Sequence, residues 1–307
     1  MVSGAAPTNK PADTLERQEE RGKEKLLSLS RAWNGATTRA TPLPDVWSNL
    51  KNKQIQFRRG QVCMVAAAPN AGKSMFALVY AIKTNIPTLF FSADTDSSTV
   101  MIRASSHISG HTQLTVENNL NLNDRYYDKY FSEMSNIQWV FDSSPSLDDV
   151  EMEVKAYIEL YGIAPELIII DNLMNIAAET DNEWAGLRAI MMELHDLARK
   201  TEACVLVLHH VSEQSEYGNG STPPPRRSIH GKVSQLCSLI LTLGYDPYNK
   251  ILKIGVVKNR YGPHAADGTM SVELEANYAA CQITNREAQN YQQQNYRPTY
   301  DPQEHLH

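Results

Sequence analysis

The chain has little that would carry it into a membrane or an oxidising compartment. No apolar run approaches the roughly 20 residues that a membrane-spanning helix needs, and the start, MVSGAAPTNKPADTLERQEERGKEK, contains no apolar segment of a secretory signal. A cytoplasmic protein is the expectation. Cysteine is scarce: Cys63, Cys204, Cys237 and Cys281 form no CxxC pair and have no Cys/His spacing of a zinc site. The first three sit inside apolar runs, which predicts reduced core thiols. Excess positive charge is missing as well. The formal net charge is -6, so the whole molecule does not attract nucleic acid, and any such binding must come from a local basic strip.

What is present is a chain of 307 residues, 42% hydrophobic and 21% charged, a composition that predicts one main globular domain with tails. Residues 1–41 are polar. Within them 12–33 (ADTLERQEERGKEKLLSLSRAW) have helical spacing, with Glu19 and Lys23 at i,i+4 and Leu26, Leu27 and Leu29 on a short apolar side. A solvated or disordered arm and a linker helix docking on a neighbouring subunit are both open readings. The end, NREAQNYQQQNYRPTYDPQEHLH, is rich in Gln, Asn and Tyr, and 277–307 are expected to be a flexible tail because they bury too little apolar surface to offset their ordering entropy.

Residues 42–276 alternate apolar runs with helical patterns: QVCMVAA then 74–85, TLFFSA then 97–109, IQWVFD then 147–161, ELIIID then 183–200, ACVLVLHH, and finally SLILTL and ILKIGVV. Continuous Val/Ile/Leu runs separated by helices predict an α/β fold with a mostly parallel, twisted sheet covered by helices on both faces. The last two runs, joined by GYDPYNK, predict an antiparallel hairpin at one edge.

Four strand ends carry chemistry. AAPNAGKS follows an apolar strand and opens a helix, the frame in which backbone N–H groups cradle phosphates, a lysine adds charge and the next hydroxyl holds Mg²⁺. ELIIIDNL ends a second strand on Asp171, a carboxylate suited to holding Mg²⁺ together with Ser74. TLFFSAD ends a third on Asp94, placed to orient or deprotonate an attacking water; the competing role is a loop that caps the next helix, for which Asp96 and Ser97 are suited. VLVLHH puts His209 and His210 on opposite sides of a strand, so one faces the phosphates and the other packs or caps.

In this order, TPLPDVW, AAAPNAGKS, FFSADTDSS, the block from Asp142 to Asp171, LHDLARKTEACVLVLHHVSE, HGKVSQLCSLILTL and VVKNRYGP resemble the RecA-like P-loop ATPase domain of DnaB-family replicative helicases over about residues 42–276. The resemblance implies that Ala67, Ala68, Pro69, Asn70, Ala71, Gly72, Lys73, Ser74 and Met75 bind ATP, with Ser74 and Asp171 holding Mg²⁺. Asp94 falls at the family's catalytic Glu, with a shorter side chain. His210 falls at a γ-phosphate sensor that is often Gln in DnaB proteins and His in phage primase-helicases, and LHHVSE also looks like a segment of RepA-type plasmid helicases. Gln235 matches a further polar sensor. Lys258 and Arg260 match a Lys-x-Arg pair that reaches the ATP of the next subunit, where guanidinium charge stabilises the transition state. Without the resemblance, that segment reads as a surface turn with solvated charges.

The Gly/Pro-rich stretch 213–232 resembles in position a loop lining the central channel of hexameric helicases, and its Arg226, Arg227 and Lys232 would track single-stranded DNA; a mobile surface insertion is the alternative. Nothing before residue 42 resembles the family's primase-binding domain, which leaves loading and primase contact open, with the termini as a route to replication proteins. The implied activity is an ATP- and Mg²⁺-dependent, self-associating, hexameric DNA motor without a membrane. A recombinase-like or accessory DNA-processing ATPase, and a nucleotide-gated scaffold, are the rival readings.

Overall fold

The structure is a computed structural model describing residues 40–122, 125–178, 180, 182–212 and 220–287. The expected helix at 12–33 and the chain beyond 287 lie outside the described residues. The apolar runs become β1 (Val62–Ala67), β2 (Thr88–Ser92), β3 (Ile137–Val140), β4 (Leu167–Asp171), β5 (Cys204–His210), β6 (Leu239–Asp246) and β7 (Ile251–Asn259), followed by β8 (Ser271–Asn277) and β9 (Gln282–Asn285). The principal helices are α1 (Lys73–Thr84), α2 (Ser97–Ser109), α3 (Gln113–Asn121), α4 (Leu147–Tyr161) and α5 (Glu183–Thr201). The strands form one sheet in the order β3-β2-β4-β5-β1-β6-β7-β8-β9. Pairing is parallel from β3 through β6 and antiparallel from β6 outward.

Every residue of β1, β2 and β4 is buried, because helices cover both faces and leave no side for polar residues. One face packs on α1 through Phe76, Leu78 and Tyr80, joined by Trp47 and Phe57; the Trp47 and Phe76 rings stack at 4.9 Å. The other face packs on α4 and α5 through Val150, Val154, Leu187, Ile190 and Leu194. Local signals set the helix limits. Asp96 accepts from Thr99 N–H to start α2, Ser146 and Asp149 form a capping box at α4, and left-handed Gly110 and Gly162 end those two helices. All four cysteines are free and buried.

Two expectations need correction. The hairpin of β6 and β7 forms, with Thr242 opposite Gly255, but it is not an edge, because β8 and β9 extend the sheet past it. The tail expected from 277 starts inside the fold: Tyr278–Ala280 make a 3-10 turn and β9 pairs with β8. Backbone pairing and a few docking contacts do what composition alone did not promise. Ile283 is fully buried, and its carbonyl accepts from Trp47 Nε1 at 3.1 Å and Lys83 Nζ at 3.3 Å.

Candidate functional site

β1 ends at Ala67, and α1 starts at Lys73. The turn between them needs left-handed backbone at Asn70 (φ 61°) and Gly72 (φ 90°). Gly72 is required a second time by close approach, since a Cβ there would run into the Tyr278 hydroxyl, which donates to the Ala71 carbonyl at 3.0 Å. No side chain caps the start of α1. Its first-turn N–H groups are the donors that an anion satisfies.

Lys73 and groups from the ends of three other strands converge on this turn. Lys73 is 7% exposed, and its Nζ lies 3.4 Å from the Ala67 and Ala68 carbonyls and 3.4 Å from His210 Nδ1. Burial lowers its proton affinity, against the opposing charges of Asp171 and Asp94. Asp171, at the end of β4, is 2% exposed. Burial pushes its carboxyl up to about 6, against a hydrogen bond from Ser74, while the Asp94 charge adds to the rise. Its Oδ1 is buried with no hydrogen-bond partner, a costly state for an acid unless a cation completes it. A hard divalent cation takes oxygen donors of this kind, so Ser74 and Asp171 fit Mg²⁺.

Asp94 follows β2, and its N–H donates to the Asp171 carbonyl at 3.2 Å. His210, opposite Ala67 in the β1–β5 register, also has its Nε2 3.3 Å from Asn172 Nδ2. His209 takes the other side of β5, fully buried, with Nε2 2.9 Å from the His230 carbonyl. The alternation along the strand therefore sorts the two histidines as expected.

Lys73, Ser74, Asp94 and His210 line a cleft of about 420 Å³ together with Pro69, Asn70, Gly72, Met75 and others. Arg103 on α2, Gln113 on α3 and Tyr278 also line it; sequence reasoning missed all three. Tyr278 stacks on Tyr245 at 3.8 Å and belonged to the supposed tail. Arg103 and Gln113 carry no motif of their own. A larger groove of about 540 Å³ lies between α4 and α5, lined by apolar Leu147, Val150, Ile190 and Leu194 with acidic Asp148 and Glu193, and offers no phosphate-binding chemistry.

Gln235, Lys258 and Arg260 do not line the phosphate cleft. Gln235 is exposed at the end of the 3-10 segment His230–Gln235. Lys258 Nζ turns onto its own chain and donates to the Ser234 and Gln235 carbonyls at 2.9 and 2.8 Å. Arg260, just past β7, is exposed. Arg226 and Arg227 line a separate cavity of about 620 Å³ with Ser234, Gln235 and Asp267; the side chain of Lys232 lies outside the described residues. The described part of the 213–232 stretch is packed rather than a loose insertion: Pro223, Pro224 and Pro225 are buried, and Val211 bridges to Ile229.

A phosphate loop on β1, an acid on β4 and a histidine-bearing β5 between those two strands define a RecA-like P-loop nucleoside triphosphatase. Residues 43–280 match the DnaB-like helicase C-terminal domain, and the chain belongs to that family of ATP-hydrolysing helicase motors. It is similar to the Gene 65 protein of Mycobacterium phage L5, 37% identical over 245 residues that cover 76% of this chain and 89% of the phage protein. It is also similar to the replicative DNA helicase DnaB of Pasteurella multocida (strain Pm70), 26% identical over 260 residues, 78% of this chain and 54% of that helicase. The chain thus spans about half the length of that bacterial relative. Among solved structures, a DnaB-like replicative helicase described with its interactions with primase aligns with a TM-score of 0.69 at 18% identity, covering 91% of this chain and 72% of the other.

Proposed function

We propose that this chain is the motor of a ring that moves along single-stranded DNA, hydrolysing Mg-ATP in clefts completed by a neighbouring copy. Lys73 and the α1 N-terminus hold the phosphates, Ser74 and Asp171 hold Mg²⁺, which neutralises phosphate charge when bound, and Asp94 positions or deprotonates the attacking water. His210 sits beside Lys73, where it senses the terminal phosphate. Arg260 of the next copy supplies a further guanidinium beside the cleft's own Arg103. Arg226, Arg227 and Lys232 track DNA phosphates. Phage relatives such as the L5 protein support a workplace in a bacterial host's cytoplasm, and no described helix is long and apolar enough to cross a membrane.

The observation that carries this reading is the division of charge: Lys73, Ser74, Asp94 and His210 share one cleft, whereas exposed Arg260 lies outside it. A mixing experiment tests it. Lys73→Ala and Arg260→Ala should each abolish ATP turnover alone. Mixed in equal amounts, they should regain roughly a quarter of wild-type turnover, because random assembly around a head-to-tail ring leaves that share of interfaces complete. An Arg260→Ala chain as active as wild type, or mixing without recovery, sinks the shared site. Pairing of homologous strands without unwinding of a forked duplex favours the recombinase reading instead.

A further inference from the structure

Ser234 stands where two functional cations meet. It lies in the 3-10 segment His230–Gln235 and is 8% exposed. Its hydroxyl accepts from Arg226 Nε at 3.0 Å, and its carbonyl accepts from Lys258 Nζ at 2.9 Å. Arg226 belongs to the DNA-tracking stretch. Lys258 belongs to β7, the strand that leads straight into Arg260.

The surroundings make this link stiff. Pro223 packs so closely on the sheet that a Cβ at Gly244 or Gly255 would collide with it, and Arg226 N–H donates to the Ala266 carbonyl at 2.9 Å. A pull on the Arg226 guanidinium is therefore felt at Ser234 rather than absorbed by the backbone. The far end of the same 3-10 segment is fixed by His209, whose Nε2 lies 2.9 Å from the His230 carbonyl, and the next residue on that strand, His210, faces the phosphates. Charge adds a second connection. Burial lowers the proton affinity of Lys258, and the nearby Arg260 and Arg226 charges lower it further. Three crowded cations favour the arrival of an anion at any one of them.

We propose that Ser234 is a positioning residue that couples the DNA-tracking stretch to the subunit-crossing end of β7. A DNA phosphate engaging Arg226 changes the hold of Arg226 on Ser234, and Ser234 passes that change through Lys258 to Arg260. This inference rests on the DNA-motor reading above. The coupling is reciprocal, so nucleotide bound at the neighbouring cleft alters affinity for DNA by the same factor.

The test uses the full chain and measures ATP turnover with and without oligo-dT. Ser234→Ala should leave DNA-independent turnover unchanged and cut stimulation by DNA about fivefold or more. Ser234→Thr, which keeps the hydroxyl, should retain stimulation. Arg226→Gln should lose stimulation as Ser234→Ala does, and the double variant should lose no more than either single one. Full stimulation in Ser234→Ala, losses that multiply in the double variant, or a fall in DNA-independent turnover at an unchanged stimulation ratio each overturn the coupling. Wild-type turnover that ignores DNA overturns the DNA-motor reading itself and the coupling with it, an outcome set apart because it shows in the unmutated chain.

Discussion

His209 should make the fold acid-labile, and the size of the effect follows from its surroundings. Its Nε2 faces the His230 carbonyl, so that nitrogen carries the hydrogen and Nδ1 must be bare. Nδ1 is buried with no partner, and a second proton would have to sit there. Burial lowers the pKa from 6.5 to about 4, opposed by the hydrogen bond to His230, with the charges of His230, His210 and Lys73 lowering it further. Above pH 6.5 the ring is neutral whether the chain is folded or unfolded, so no pH term arises. As pH falls from 6.5 to about 4, the unfolded chain takes up a proton that the folded chain refuses, and stability is lost. The full loss is about 3 kcal/mol, of which about 2 kcal/mol is spent by pH 5. Urea unfolding followed by tryptophan fluorescence at a series of pH values measures it. His209→Gln keeps an amide donor for the His230 carbonyl and cannot titrate, so its stability curve should be offset at neutral pH but flatter below 6.5. Parallel curves for the two proteins would refute the reasoning.

Asp171→Asn should cost at least about 100-fold in ATP turnover, yet raise the melting temperature of the nucleotide-free protein at pH 8. It removes a buried carboxylate whose pKa is pushed from 3.8 to about 6, a difference worth up to about 3 kcal/mol; calorimetry showing a lower midpoint contradicts this. Gly72→Ala should lose about 1–3 kcal/mol in chemical denaturation, because φ there is 90° and the Cβ meets Tyr278. Equilibrium binding of a fluorescent ATP analogue should weaken with it, and unchanged binding contradicts the close-approach account.

The parallel half of the fold was legible because its inner strands β1, β2 and β4 are buried on both faces, and burial on both faces leaves an uninterrupted apolar signature such as LIIID. The loop at 67–75, Asp171, Asp94 and His210 were legible for a related reason: each sits at the end of such a strand, so finding the strand located the group. β8 obeys the other rule. SVELEAN alternates, with Val272, Leu274 and Ala276 buried and Ser271, Glu275 and Asn277 exposed, and a search for continuous runs passes over it. β9 has no readable signal, since Ile283 is the one fully buried residue of a four-residue strand; its order comes from pairing with β8 and from Trp47 and Lys83, both distant in sequence. Tyr278 was hidden by the same error, since a residue assigned to a tail is not considered for a site.

That error also shows why the outer strands matter to the chemistry. The sheet runs outward from β6 to β9, but the turn between β8 and β9 folds back so that Tyr278 stacks on Tyr245 of β6 and bonds to Ala71 in the phosphate loop. Burial raises the proton affinity of both Tyr245 and Tyr278 above the usual phenol range, and the stack is an apolar brace with one hydroxyl aimed at the loop. β7, in the middle of these outer strands, leads into Arg260. The element that braces one cleft is thus covalently continuous with the element proposed to complete another. In the proposed ring, a displacement of β7 by a neighbouring copy would reach the chain's own phosphate loop through β6 and β8, which flank β7 and meet at Tyr278.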